Sequence, residues 1–221
     1  MSERDLPDEL PVFPLPNAVL FPGTSLPLNV FEPRYRQMVE DVLRHGRWIA
    51  VTLLKPGYEA DYDGAPDFHE IGGAGFLVRS NRLEDGRFEI VLEGRTRVRL
   101  EEIPSARLYR MARAIPCPED VSWVTGSEGT QALCGLLELA VALRMVKDEE
   151  ARRGLPNGAA RRMAFLNQLA VSVMADPQDR QAMLAAELPQ RSELVFSRLR
   201  FSRDLHLALA RHPRPEDPGL N

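Results

Sequence analysis

The sequence predicts an α+β protein: a twisted β-pseudobarrel that carries one amphipathic helix, followed by an α-helical bundle. Several short apolar runs, each bounded by turn residues, occupy residues 10–115, and a helix that starts with proline interrupts them near residue 33. Beyond residue 128 the apolar spacing changes to the period of about 3.6 residues that is typical of helices. Short, turn-bounded strands with a single helix favour a small barrel over an open sheet.

The first two strands flank a turn at Pro22-Gly23. Proline presets φ at one central position of a turn, and glycine accepts positive φ at the next. A helix follows from Pro33, because proline at the first helical position loses no hydrogen bond, and Gly46 is its expected end. Apolar residues at helical spacing give this helix one buried face: Tyr35, Met38, Val39, Val42 and Leu43.

The remaining strands differ in how they are expected to be buried. Residues 48–54 are almost continuously apolar, which predicts a central strand covered on both faces. Residues 55–68 form a long acidic loop. A hairpin is predicted where Gly86 supplies the positive φ of a turn. The strands of this hairpin and those that complete the barrel are expected at residues 75–79, 87–92, 95–100 and 108–115.

A second domain is predicted after residue 118, where proline, glycine and acidic residues separate the strands from helical spacing. We expect a first domain over residues 1–118, a helical bundle over 119–212 and a flexible tail over 213–221. The bundle should contain about four helices. Asp176-Pro177 is the clearest start signal, because an N-cap aspartate precedes a proline at the first helical position.

Composition excludes several classes of protein. The chain has 221 residues, 44% of them hydrophobic, with a mean hydropathy of −0.26 and a net charge of −4. No apolar run is long enough to cross a bilayer, and the acidic start lacks the apolar stretch of a secretory signal, so we expect a cytoplasmic protein. Negative net charge argues against binding nucleic acid. Cys117 and Cys134 show no metal-ligand spacing and are expected to be unpaired thiols.

Four motifs in order resemble the amino-terminal domain family of Lon proteases. They are the segment from Leu10 to Arg36, the segment His69 to Gly75, the segment Glu84 to Phe88 and the segment Val91 to Val98. The resemblance implies a PUA-like barrel with a helical extension. It also implies a role in recognising substrates or in assembly, here expected in a free-standing member of the family.

The catalytic parts of full-length Lon proteases are not expected in this chain. A P-loop needs lysine directly after glycine, and neither Lys55 nor Lys147 follows one. No room remains for a module with a serine-lysine pair. Residues 72–75 are rich in glycine but precede a strand, which indicates a bulge or close strand approach rather than a phosphate loop. We therefore predict a non-catalytic protein without cofactor or metal.

Three alternating arginines, Arg95, Arg97 and Arg99, lie on one predicted strand. Alternation places them on the same face of the sheet, where they form a basic stripe. Acidic neighbours favour a solvated, salt-bridged surface over a site for acidic partners.

The sequence favours a module that binds unfolded or exposed peptide segments, or a partner protein, with open strand edges and a groove between sheet and bundle as the contact surfaces. Two alternatives stay open: a small hydrolase with its site near His69, and a PUA-like nucleic-acid-binding protein. The oligomeric state is not indicated. The candidate partner-binding residues combine aromatic contact area with charge: Glu32, Arg34, Tyr35, Tyr58, Tyr62, His69 and Phe76.

Overall fold

The computed structural model describes residues 6–61 and 64–211, and its first half is a six-stranded sheet. The strand order is β2-β5-β4-β3-β1-β6, and β5 also pairs with β6, so the sheet curls back on itself into an irregular barrel. The predicted twisted β-structure is confirmed, although it is not a regular barrel. The strands are β1 (Glu9–Leu15), β2 (Ser25–Val30), β3 (Trp48–Leu53), β4 (Ile71–Arg82), β5 (Phe88–Ile103) and β6 (Met111–Pro116).

The predicted central strand is confirmed. Every residue of β3 is buried, and the strand pairs in parallel with β1 and antiparallel with β4. A strand that is covered on both faces needs no polar side chain, which explains why its sequence is apolar throughout.

The fifth strand is longer than predicted. The sequence indicated separate strands over residues 87–92 and 95–100, but β5 continues through Gly94 for 16 residues. Its first half pairs with β2 and its second half with β6, while β4 follows it along most of its length. Register shifts near Gly75 and Val78 absorb the curvature that lets one strand serve three neighbours.

The glycines of β4 and β5 accommodate a strap formed by Val19, Leu20 and Phe21. A Cβ at Gly73 would lie 2.0 Å from the Leu20 carbonyl oxygen, and a Cβ at Gly94 would lie 2.0 Å from that of Phe21. The predicted close approach of backbone to these glycines is confirmed, although the neighbour is the strap rather than another strand. Gly23, at a φ of 75°, then forms the turn into β2.

Helix α1 (Pro33–His45) begins and ends where predicted. Pro33 occupies the first turn, and Gly46 caps the carboxyl end with its amide donated to the Val42 carbonyl. Arg47 follows at a φ of 64°, an uncommon conformation for a residue with a side chain. The buried face packs Tyr35, Met38, Val39 and Val42 against the sheet.

The second half of the chain is helical, with one more helix than the roughly four predicted. Asp176 caps α5 as predicted, since its carboxylate accepts a hydrogen bond from the Gln178 amide at 2.8 Å. The described helices of this half are α2 (Ser127–Ala142), α3 (Asp148–Arg152), α4 (Ala159–Val173), α5 (Pro177–Ala185) and α6 (Leu188–Arg211). None of the helices in residues 6–61 and 64–211 is long and apolar enough to cross a membrane.

The helices share their core with the sheet. Phe21 and Leu53 belong to the same buried cluster as Leu136 of α2 and Leu166 of α4. Across this junction the Asn167 side chain donates to the Pro22 carbonyl at 2.8 Å. The predicted change of structure near residue 118 is therefore a change of element type that apolar packing spans.

Arg97 is buried in this junction, so the prediction of a solvated arginine stripe is wrong for this residue. Its Nη1 donates to the carbonyl oxygens of Leu184, Ala185 and Ala186 at 3.0–3.2 Å. Alternation along β5 could not reveal this, because the α5–α6 turn that covers Arg97 lies about ninety residues away in sequence. Arg95 and Arg99 are exposed as predicted.

A second buried arginine completes the junction. Arg191 of α6 has no exposed surface. It donates to the Met183 carbonyl at 2.8 Å and to Asn167 Oδ1 at 2.6 Å. Its Nη2 forms an ion pair with Glu119 Oε1 at 2.7 Å. Burial lowers the pKa of the Arg191 guanidinium, and the charge of Glu119 opposes that effect.

Candidate functional site

Glu32, Arg34 and Tyr35 lie together where β2 leads into α1. Arg34 Nε donates to Glu32 Oε2 at 2.9 Å, and the Arg34 guanidinium stacks 4.8 Å from the centre of the Tyr35 ring. Tyr35 is itself buried against Phe13, with ring centres 4.4 Å apart. Glu32 and Arg34 are thus partly exposed at this corner, whereas the Tyr35 ring contributes to the core.

Phe76 is a core residue as well. It is buried and meets Trp48 edge to face, with ring centres 5.6 Å apart. The Arg95 guanidinium lies 5.9 Å from the Phe76 ring on its outer side. A partner would contact this position through Arg95 rather than through Phe76.

The acidic loop carries two further candidates. Tyr58 begins a short 3₁₀ turn and packs in part against the core cluster that contains Phe68. Phe68 is covered by Arg110, whose guanidinium lies 4.4 Å from the ring centre. Tyr62 lies outside the described residues.

His69 links the loop to α5. Gln178 donates its side-chain amide to the Leu54 carbonyl at 3.3 Å, which turns its Oε1 towards His69 Nε2 at 3.0 Å. We therefore assign the proton of the neutral imidazole to Nε2, which donates to Gln178. The cleft beside it has a volume of about 490 Å³ and is mostly polar, lined by Lys55, His69, Glu70, Ile71, Gln178, Gln181, Ala182 and Ala185.

A nucleophile is not positioned at His69 by the described residues. The lining of the cleft includes no serine, threonine or cysteine. The nearby hydroxyl of Thr52 is buried and donates to the His69 main-chain oxygen at 2.6 Å. Since nucleophilic hydrolysis needs a hydroxyl or thiol against the imidazole, this geometry does not favour the hydrolase alternative.

The larger groove lies among the helices, where the sequence did not place it. It has a volume of about 610 Å³ between α2, the α3 segment and α4. The sequence predicted apolar pockets between sheet and bundle, but the cleft there is the polar one beside His69. The floor of the helical groove is apolar and is formed by Leu137, Met145, Val146, Leu155, Pro156, Ala164, Phe165 and Leu169.

Charged and polar groups surround this groove. Arg161 is exposed and forms no ion pair with any described residue, whereas Arg153 pairs with Glu149 at 2.9 Å. The rim also includes Glu150, Asn157, Gln168 and Ser172. An apolar floor with a polar rim is the usual build of a site that takes up apolar side chains.

The open strand edge is that of β2, which pairs only with β5 in the described part of the chain. Pro27 stands in the middle of this strand and has no amide N–H to donate. Proline is tolerated there because an edge strand leaves one side unpaired, and it also limits pairing with a further strand. An extended peptide would find an incomplete ladder on β2.

A separate polar cluster lies between α1 and β6. Tyr109 donates its hydroxyl to Asp41 Oδ2 at 2.9 Å, and Arg107 Nη1 donates to both of these groups. Burial, with Asp41 as the second cause, raises the pKa of Tyr109 to about 12. A small cavity of about 180 Å³ adjoins the cluster.

Metal ligands are not clustered in the part of the chain that the structure describes: no group of three or more His, Cys, Asp or Glu side chains there could hold an ion. Cys117 is partly exposed and Cys134 is exposed, and both are free thiols.

The geometry can be set beside known proteins. Residues 9–200 match the family described as the ATP-dependent protease La (LON) substrate-binding domain. The chain belongs to this family. The resemblance seen in the sequence motifs is thereby confirmed, and the match extends through the sheet and into α6.

Curated relatives of this LON-family chain are Lon proteases. Lon protease of Flavobacterium johnsoniae is 29% identical over 143 residues, which cover 65% of this chain and 17% of the relative. Lon protease 2 of Myxococcus xanthus is 26% identical over 215 residues, which cover 93% of this chain and 25% of the relative. The chain thus spans a quarter or less of these proteins.

Solved structures of LON amino-terminal domains share the fold. The Lon N-terminal domain protein from Xanthomonas campestris aligns with a TM-score of 0.60 at 23% identity, covering 86% of this chain and 97% of that one. The N-terminal domain of Mycobacterium avium complex Lon protease aligns with a TM-score of 0.60 at 13% identity, covering 87% and 98%. At these identities the likeness concerns the fold alone.

Proposed function

We propose that this LON-family chain is a non-catalytic module that binds exposed segments of unfolded polypeptides or of a partner protein. The observation that carries the proposal is the match of residues 9–200 to a substrate-binding domain. Binding takes place without ATP hydrolysis or peptide-bond cleavage. Cytoplasmic residence and indifference to nucleic acid belong to the same proposal, because the chain has a net charge of −4.

The groove between α2 and α4 is the proposed principal contact surface. Its volume of about 610 Å³ falls in the range of ligand clefts and accommodates several apolar side chains at once. Met145 lines it and is partly exposed. A flexible thioether adapts to side chains of different shape, which suits a site that must accept many sequences.

The residues predicted from the sequence form a proposed second contact region. Glu32 and Arg34 at the start of α1, together with Tyr58, Tyr62 and His69 around the acidic loop, would contact client segments that extend beyond the groove. Tyr35 and Phe76 would support this region from the core, since the first lies under Arg34 and the second under Arg95.

The proposal is tested with a fluorescently labelled, reduced and carboxymethylated protein that stays unfolded, titrated with the full chain in an anisotropy assay. Met145→Ser should weaken binding roughly tenfold, as for one apolar anchor lost from a groove. Val121→Ser is the matched control, because Val121 and Met145 are both 39% exposed and Val121 does not line the groove. Equal affinity for the two variants would contradict the groove assignment.

The absence of catalysis is tested on the same protein. We expect no ATP turnover and no cleavage of the labelled client during the binding assay. Turnover that copurifies with the chain and disappears on His69→Ala would instead support the hydrolase alternative. A mobility shift of RNA at low salt would support the nucleic-acid alternative.

A further inference from the structure

The second half of α6 exposes an apolar surface that the rest of the described chain does not cover. The first half of this helix is anchored by Leu188, Arg191, Val195 and Leu199, all buried. From Phe201 to Leu209 no residue is buried. An isolated helical segment of this length is marginal in water, because most helical stability comes from packing an amphipathic face.

Four exposed apolar residues of α6 form one stripe. Leu194, Phe201, Leu205 and Leu209 follow at spacings of seven, four and four residues, which places them on the same face of a helix with about 3.6 residues per turn. We call these four residues the α6 stripe. Leu207 is also exposed but points to the opposite side. A contiguous apolar stripe of this kind marks an interaction surface.

The charges around the α6 stripe are mainly positive. Arg198 lies on the same face, four residues after Leu194, and Arg200 follows it. Neither arginine pairs with a carboxylate among the described residues; Arg198 stacks 5.8 Å from the Phe201 ring and Arg200 5.9 Å from the Phe196 ring. The nearby Asp204 is already paired with Arg203 at 2.9 Å. Two such helices side by side would bring like charges together, which disfavours a second copy as the occupant.

We propose that the α6 stripe docks an acidic amphipathic helix of another protein. The apolar face of that helix packs on Leu194, Phe201, Leu205 and Leu209, and one of its carboxylates meets Arg198. A charge placed within an apolar seam fixes the register of two helices, as polar groups do in coiled coils. This surface is distinct from the groove between α2 and α4 and adds a dedicated helical partner to the proposed binding of unfolded clients.

The probe is a labelled synthetic peptide of about three heptads, with leucine at the seam positions and glutamate beside them. A second peptide has lysine in place of every glutamate. Titration with the full chain should show at least about tenfold tighter binding of the glutamate peptide, together with a gain of helicity in circular dichroism and weaker binding at high salt. Equal binding of the two peptides would overturn the proposal.

Matched variants locate the contact. Leu205→Ser should weaken binding of the glutamate peptide about tenfold, whereas Leu207→Ser should leave it unchanged, although the two leucines are 49% and 53% exposed. Arg198→Glu should reverse the preference between the two peptides. Binding of the unfolded client should persist in Leu205→Ser, which separates this proposal from the proposed function. Equal effects of the two leucine changes, or a dimer of the chain that Leu205→Ser dissociates, would contradict it.

Discussion

At the scale of single residues, the glycines under the strap are the least replaceable positions. Gly73→Ala would place a methyl group 2.0 Å from the Leu20 carbonyl oxygen, which backbone cannot yield without displacing the strap. We expect a loss of at least about 3 kcal/mol in the free energy of unfolding, at the upper end of overpacking costs. Urea denaturation measures it. Gly135→Ala in α2 is the comparison, because its nearest neighbour is a phenylalanine side chain at 3.3 Å and the change should stay within about 1 kcal/mol.

Arg191 makes the second prediction at this scale. Arg191→Met leaves the Glu119 carboxylate buried without its closest cation and removes the donors to Met183 and Asn167. The free energy of unfolding should fall by about 3–5 kcal/mol, as when one member of a buried ion pair is deleted. The exposed pair of Arg203 provides the contrast, and Arg203→Met should cost less than about 1 kcal/mol. A small effect at Arg191 would mean that the junction tolerates an unpaired carboxylate.

Tyr109 predicts a dependence on alkaline pH. Its pKa is raised from about 10 to about 12 in the folded chain, so the unfolded chain releases this proton first as pH rises. The contribution of Tyr109 to stability is complete below pH 10 and is lost between pH 10 and 12. Tyr109→Phe should therefore show a shallower fall in stability over that interval. Ultraviolet titration of the tyrosinates should show one late transition that is absent from the variant.

At the scale of elements, α5 depends on its cap. Asp176 accepts the Gln178 amide, and Gln178 in turn contacts His69 and the Leu54 carbonyl. Asp176→Ala should lower the free energy of unfolding by about 1 kcal/mol, the usual value for a lost N-cap. Asp179→Ala, in the same first turn but without a capping bond, should cost less. Thermal unfolding of the two variants side by side decides whether the cap or the charge matters.

The elements also show what sequence patterns can reach. Helix α1 and strand β3 were predictable because their periodicity is local, as was the start of α5 at Asp176. The continuity of β5 was not, because Gly94 reads as a break while the fold uses its missing side chain to admit the Phe21 carbonyl. The burial of Arg97 depends on a turn far away in sequence.

The candidate site divides in the same way. Motif position suggested Tyr35 and Phe76, yet both side chains face the core, and only the packing of α1 and β3 shows this. The groove of Met145 and Phe165 arises from the pairing of α2 with α4, and the sequence contains just one hint of it: apolar residues that continue past the end of α2.

At the scale of the whole molecule, sheet and helices should unfold together. Phe21 and Leu53 share a cluster with helical residues, and Arg97 ties β5 to the α5–α6 turn. The chain has two tryptophans, Trp48 in the sheet and Trp123 beside α2. In Trp48→Phe and Trp123→Phe variants the remaining fluorophore should report transitions at the same urea concentration, after correction for any change in stability. Separate midpoints would indicate that the predicted domains fold independently.

The strap has a consequence for how members of this family are told apart. Leu20 and Phe21 have no exposed surface, so the stretch that makes a member easiest to recognise is sealed away from every visitor. Agreement there certifies a shared architecture and is silent about appetite. Preferences among clients have to be sought in the lining of the helical groove, where a substitution alters what is welcomed and leaves the scaffold standing.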